Sequence, residues 1–414
     1  MRTMTLTHTN EIVNRYPYLP KMVKVIQEFK DDGLGDVASV LRKELEQDRV
    51  KQLIKKGMNI AVTGGSRGID NIALITKETV SFLKECGAKP FIVPAMGSHG
   101  GATAEGQKKV LEHLGVTEEY CGCPIRSSME TRAAGTINTG ETVLMDKYAA
   151  AADGIVLINR IHSHGDVAGG PHESGLVKMM AIGLGKQQGA EQIHQLGRAG
   201  NFERIPAFAR VIYDHANVLF GVAMVENTLQ KTALIRALVR DEIWTEDPKL
   251  LEKAKSYIVP LLPCPADILI TDEIGKDITG GHKAYPVAKS VLLDVRDSSE
   301  GNCLGMGGYD IGTKRLYDKI DFDKTYVNTL NSTLLFYADV PMIMENDKMA
   351  LQLAMMSCNV IDKTKVRVVR IKNDSHFTEL YVSENMAEEL RAFPNIKIDG
   401  KAEALSFNNE GNLF

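Results

Sequence analysis

One pattern occurs twice in succession between residues 58 and 115. The run MNIAVT is strand-like and enters the glycine turn GGSRG, after which Ile72, Ile75, Thr79, Phe82, Leu83 and Cys86 recur at helical spacing as far as Gly87. The run PFIVPA is a second strand, followed by the loop MGSHGG and a helix capped by Thr103 with Val110, Leu111 and Leu114 facing inward. Parallel neighbours need long crossovers, which a helix supplies, so this alternation specifies a parallel α/β sheet with right-handed connections. A helical stretch over 35–56 precedes it, and further strands are expected at Thr142–Met145 and Gly154–Ile158. Arg67, His99 and the segment beginning at His162 each follow the C-terminal end of a strand, where open α/β sheets bind ligands.

The texture changes at VPLLPCPADILITD, where Pro260, Pro263 and Pro265 precede a fresh strand. At 414 residues the chain is long enough for two domains, and the expected division is 1–260 and 261–414, both α/β and the second smaller. The second half should hold a strand at Asp267–Thr271, the loop EIGKDITGGH, a helix near Met344–Met356 and the strands KVRVVRI and FTELYV, with a frayed tail after Phe407. A net charge of −4 gives no electrostatic case for nucleic acid or an anionic membrane surface, and no apolar run is long enough to span a bilayer. The N-terminal residues lack the apolar core of a secretory signal. Six cysteines form no disulfide framework, so reduced thiols in the cytoplasm are expected. Cys121 and Cys123 make a CxC without the second pair that a structural zinc site needs.

Four of the ten histidines, His162, His164, His172 and His194, fall in the glycine-dense stretch IHSHGDVAGGPHESGLVKMMAIGLGKQQGAEQIH. Histidine titrates near neutral pH and is the commonest metal ligand, so the clustering marks a chemical centre. The spacing does not fit HExxH, and His162 and His164 share one face if the strand continues. Lys178 is flanked by apolar residues; burial would lower its pKa and make the amine a nucleophile, whereas an ordinary amphipathic helix would leave it solvated. Arg67, in a tight turn, suits bidentate binding of a carboxylate, and Lys276 is a second anion-binding candidate from the other domain. His99 lies where glycine amides and a helix N-terminus favour an anion, although the loop matches neither the dinucleotide fingerprint nor the P-loop.

Together these segments resemble the nickel-dependent lactate racemase family, most closely over residues 58–200. GSHGG resembles the family loop that carries one catalytic histidine, which implies that role for His99. SGLVK resembles the serine–glycine–glycine–x–lysine motif whose lysine holds the cofactor, a nickel-pincer nucleotide (pyridinium-3,5-bisthiocarboxylic acid mononucleotide with nickel), through a thioamide; that implies Lys178. The family's nickel-ligating histidine lies as far beyond that lysine as His194 lies beyond Lys178. Arg67 corresponds to the arginine on the substrate carboxylate, and His164, or failing it His172, to the second catalytic histidine. Ser66, Ser98, Gly100, Ser174 and Gly175 would then line the nucleotide, with Lys276 and His172 on the substrate side. The resemblance implies that residues 1–260 bind the cofactor and catalyse, that 261–414 close over the substrate, and that the active site lies in the cleft between them. Partners would be a small 2-hydroxy acid and the enzymes that make the pincer; homo-oligomerisation is left open.

Two departures bear on the substrate. The family's motif before the arginine is acidic and followed by proline, whereas this chain reads GGSRG, and Ala168–Pro171 looks like an insertion beside the second histidine. The implied activity is therefore racemisation or epimerisation of a 2-hydroxy acid other than lactate, such as a sugar acid. Two readings from other classes compete: a metal-dependent hydrolase or lyase using the His162–His172 cluster, and a non-catalytic homologue that binds an acidic metabolite. A nicotinamide-dependent dehydrogenase is disfavoured because no GxGxxG follows the first strand.

Overall fold

The structure is a computed structural model that describes residues 6–66, 68–164, 169–259, 261–273, 290–293, 310–319, 326, 330, 342–373 and 375–414. The chain divides into two compact units, one built from Asp31–Val259 and one that joins residues before Asp31 to most of those after Val259. It opens with α1 (Thr7–Val13) and β1 (Lys21–Gln27), both in the second unit.

The first unit contains, in order, α2 (Val37–Leu45), α3 (Asp48–Lys51), β2 (Asn59–Gly64), α4 (Ile72–Glu85), β3 (Lys89–Pro94), α5 (Ala104–His113) and α6 (Glu118–Cys121). The hairpin β4 (Thr131–Thr136) and β5 (Thr142–Asp146) follows, then α7 (Lys147–Ala150) and β6 (Gly154–Arg160). Next come α8 (Leu176–Lys178), a π-helical turn (Met179–Gly183), α9 (Lys186–His194) and α10 (Gly197–His215). β7 (Val218–Glu226), β8 (Thr232–Val239) and α11 (Ile243–Lys255) complete it. The main sheet has the order β3-β2-β6-β7-β8, parallel except for β8, which runs antiparallel to β7. Alternate strand residues serve opposite faces, as period-two geometry requires. Ile60, Val62, Ile92, Val156 and Ile158 pack with Leu41, Ile75, Phe82 and Leu83. Ala61, Phe91, Val93, Ile155 and Leu157 pack with Leu176, Val177, Phe208 and Ile212. Each such side chain contributes roughly 1.5–3 kcal/mol of hydrophobic stabilisation when fully buried, so helices on both faces are required. The expected α/β class and its parallel sheet are present.

The second unit continues with β9 (Ile268–Thr271), β10 (Ser290–Leu293), β11 (Asp310–Thr313), α12 (Lys314–Lys319), β12 (Met342–Met344), α13 (Asp347–Ser357), β13 (Val368–Asn373), β14 (His376–Ser383), α14 (Glu384–Leu390) and β15 (Ile396–Ala404). Its sheet has the order β12-β11-β10-β9-β13-β14-β1-β15, parallel from β12 to β13 and antiparallel from there on. A single cut at 260 leaves Lys21–Gln27 with the N-terminal domain; the structure places β1 in this other sheet, between β14 and β15. The tail after Phe407 is packed rather than frayed. Leu413 is buried, pairs with Phe407 across a β-bridge and donates its N–H to the Asp347 carboxylate at 2.7 Å. Among the described residues no helix is long and apolar enough to cross a membrane.

Candidate active site

The order β3-β2-β6 means that the chain leaves β2 toward one edge and later returns to β2's other side. The loops after β2 and β6 therefore depart in opposite directions, the arrangement that opens a binding crevice in doubly wound sheets. The β2–β6 ladder runs from Ile60↔Gly154 to Val62↔Val156, and beyond it the buried Thr63 hydroxyl accepts from Ile158 N–H at 2.9 Å. Gly65 and Ser66 leave β2 at this point, and Arg67 lies outside the described residues.

The His99 loop leaves the neighbouring strand, β3. Gly97 and Gly100 both have left-handed backbones, at φ 58° and 65°, and a Cβ on Gly100 would lie 2.6 Å from the Gln107 nitrogen, so only glycine fits there. Thr103 caps α5 by accepting from Gly106 N–H at 3.0 Å, as expected from sequence. Ser98 is buried and His99 half-buried. The loop packs on the lysine segment: Gly97 N–H donates to Gly183 O at 3.3 Å, and a Cβ on Gly183 would lie 2.7 Å from Ala95 O. A Cβ on Gly65 would lie 3.5 Å from Met179 Cε, so the β2 loop reaches the same segment.

Lys178 ends α8, immediately before the π-helical turn, and His194 ends α9. π-Turns occur disproportionately at functional sites because the inserted residue re-aims side chains. Leu176, Val177, Met179 and Met180 are buried, whereas Lys178 is only half-buried. The helix start is set by Asp247 of α11, whose carboxylate accepts from Leu176 N–H at 2.9 Å. Gly175 leaves room for it, since a Cβ there would lie 2.6 Å from Asp247 Oδ1. Asn159, at the end of β6, donates to Gly175 O at 2.8 Å.

The histidines separate into different environments. His162 pairs with Ser174 across a β-bridge, and its ring centroid lies 6.1 Å from that of His164. His164 is fixed through its backbone: its N–H donates to the buried Glu173 carboxylate at 2.9 Å. Glu173 also accepts from Ser163 Oγ at 2.7 Å and Gly169 N–H at 2.9 Å, and pairs with Lys255 of α11 at 3.0 Å. Burial alone would raise its pKa, but these donors outweigh burial and hold the carboxyl below its usual range. His172 is engaged elsewhere, with Nδ1 3.4 Å from Asp247 and its ring edge-on to Trp244 at 5.3 Å between centroids.

Comparison with known proteins finds a similarity over the part of the chain that holds these loops. Residues 19–202 match the model described as the lactate racemase N-terminal domain. That stretch, under half of the chain, is what resembles the lactate racemase family. A similar solved structure is the lactate racemase apoprotein from Thermoanaerobacterium thermosaccharolyticum, at 14% identity and a TM-score of 0.46, covering 86% of this chain and 89% of that one. No curated protein matches the sequence.

The matched stretch contains Arg67, His99, His164, Lys178 and His194; Lys276 lies beyond it and outside the described residues. It also holds groups that sequence reasoning passed over. Among the described residues the fully buried lysine is Lys186, not Lys178; its ammonium lies 3.0 Å from Asp146 and donates to Gln107 Oε1 at 3.1 Å and to Pro94 O. Burial pushes this ammonium's pKa down, against the opposing pull of Asp146. Glu173, and Asp247 beyond that stretch, were equally hidden, because their importance lies in partners up to 82 residues away (173 to 255). Cys121 and Cys123 are buried, and burial pushes their thiols up to about 11 and about 12, away from the thiolate form a metal requires. Among the described residues no three histidine, cysteine or carboxylate side chains are grouped to hold a metal ion.

Proposed function

We propose that the chain is a racemase or epimerase that inverts C2 of a 2-hydroxy acid, with a nickel-pincer nucleotide tethered on Lys178. The observation that carries this reading is the packing of the His99 loop on the segment linking Lys178 to His194, at the C-terminal ends of β2, β3 and β6. The match of residues 19–202 to the lactate racemase N-terminal domain model supports it.

The residues fit such a group. Lys178 offers a primary amine on a half-buried residue, His194 an imidazole suited to nickel, and Ser66, Ser98, Gly100, Ser174 and Gly175 hydroxyls and glycine amides in the loops beside them for a nucleotide phosphate. When bound, the cofactor supplies a hydride acceptor, which is needed because a carbinol hydrogen is not acidic enough for a side chain to remove at neutral pH. Arg67 pins the substrate carboxylate, so that only the carbinol end moves. His99 and His164 hold and return the hydroxyl proton, one for each enantiomer, because the hydroxyl changes place when the centre inverts. His172 is assigned a supporting role, since Asp247 and Trp244 already occupy its ring. The GGSRG turn, in place of an acidic residue and proline, favours a bulkier substrate than lactate, such as a sugar acid. The cytoplasm is the compartment this reading assigns.

The test is turnover of single enantiomers of lactate, malate, 2-hydroxyglutarate and aldonic acids by protein co-expressed with the cofactor-making enzymes. Substrate deuterated at C2 should yield inverted product that keeps the deuterium. Loss of deuterium to solvent would mean proton abstraction instead, and no inversion of any acid would favour the non-catalytic reading.

A further inference from the structure

Lys186 and Gln107 are a buried polar pair that the mechanism above does not use. Both side chains are fully buried, and they form a chain of contacts across three segments. The Lys186 ammonium rests on the Asp146 carboxylate, which also caps α7 through Tyr148 and Ala149 N–H, and on Pro94 O at the end of β3. Its remaining contact is Gln107 Oε1 at 3.1 Å. That contact decides which way the amide of Gln107 faces, so its Nε2 donates to Gly97 O at 2.8 Å and to His99 O at 3.2 Å. Lys186 itself has a left-handed backbone, φ 55°, which a non-glycine residue adopts only when its surroundings dictate it. Packing alone does not call for an ammonium here, since an apolar residue of similar volume avoids the desolvation cost of a buried ion pair.

We propose that Lys186 and Gln107 are positioning residues for His99: the fixed ammonium orients the Gln107 amide, which clamps the two loop carbonyls that set the direction of the histidine. Lys186 begins α9, and the turn before it leads back to Lys178, so the same clamp holds the His99 loop in register with the segment that carries Lys178 and His194. The importance of that register rests on the proposed racemase reading. The clamp itself is a physical arrangement that can be tested without turnover.

The experiment uses the full-length chain and two readouts, hydrogen exchange and the imidazole resonance of His99, assigned by its disappearance in His99→Gln. Gln107→Met keeps the volume and removes both donated bonds. Lys186→Met combined with Asp146→Asn removes the ion pair without stranding a carboxylate. In both, the amides of residues 97–103 should exchange about tenfold faster or more, as loss of one to two neutral hydrogen bonds implies. The His99 resonance and its titration midpoint should shift, while α4 keeps its protection. An unchanged resonance and unchanged loop exchange in either folded variant would overturn the proposal. Should neither variant fold, the wild type decides: amides of residues 99, 102 and 103, which donate within the loop, must be as protected as those of α5, and rapid exchange there refutes the clamp. Wild-type turnover that fails while these shifts appear counts against the racemase reading and leaves the clamp standing.

Discussion

Replacing Glu173 with glutamine changes one atom and the charge of the group that holds the His164 loop. Oε2 accepts from Ser163 Oγ and His164 N–H, and Oε1 accepts from Gly169 N–H and pairs with Lys255. In Glu173→Gln one of these oxygens becomes an NH2 group that faces two donors. The Lys255 side chain is 31% exposed and recovers its partner from water, so its share is discounted. Two charge-assisted bonds lost or weakened at about 1.5 kcal/mol each give a destabilisation of about 3 kcal/mol. Urea unfolding followed by fluorescence measures it selectively, because Trp244 is the only tryptophan and lies in the unit of Asp31–Val259, packed against His172. The pH dependence has a fixed sign. A carboxyl whose folded pKa is depressed stabilises fully above its unfolded value of about 4.3, and that contribution is lost as pH falls through the folded value. The gap between wild type and variant should therefore be complete at neutral pH and close in acid below about pH 4. A gap under about 0.5 kcal/mol at neutral pH, or one that persists unchanged in strong acid, refutes the reasoning.

Other substitutions probe neighbouring parts of the site. Gly175→Ala drives a Cβ into Asp247 and displaces it from the Leu176 amide, with an expected loss of about 2 kcal/mol in the same unfolding assay; unchanged stability contradicts the fit. His172→Phe should keep turnover, whereas His164→Gln should cut it by about a hundredfold or more with the fold intact, as chiral chromatography of the product will show; the opposite ranking would exchange the two roles. Deleting residues 408–414 uncovers the contacts of Leu413 and removes its bond to Asp347, so the second unit should lose about 2 kcal/mol, read as faster hydrogen exchange in α13. Unaltered exchange there means that the tail does not stabilise the unit.

Much of the site's frame was legible from local pattern. The strand and helix periods around residues 58–115, the Thr103 cap and the glycine loops are properties of a few adjacent residues, and the structure shows the same elements. What escaped depends on partners distant in sequence. β1 is a short strand whose neighbours, β14 and β15, begin more than 350 residues later, and nothing in its own alternation names a sheet. Lys178 sits among apolar residues in the sequence, whereas Lys186 is followed by Gln187 and Gln188, so local hydropathy favours burial of the wrong lysine. The difference is Asp146, 40 residues upstream, which makes full burial tolerable for Lys186 (186 − 146). His172 and His164 likewise look equivalent in sequence until Asp247 and Trp244 claim one of them.

The central claim is that Lys178 carries a covalent nickel-pincer nucleotide. The direct measurement is the mass of the Lys178 peptide, with nickel content, from protein co-expressed with the cofactor-making enzymes, beside a Lys178→Ala control. The account predicts an added mass on that lysine in wild type, stoichiometric nickel, and neither in the control. Equal, unmodified masses and no nickel in a protein that still inverts its substrate would contradict it.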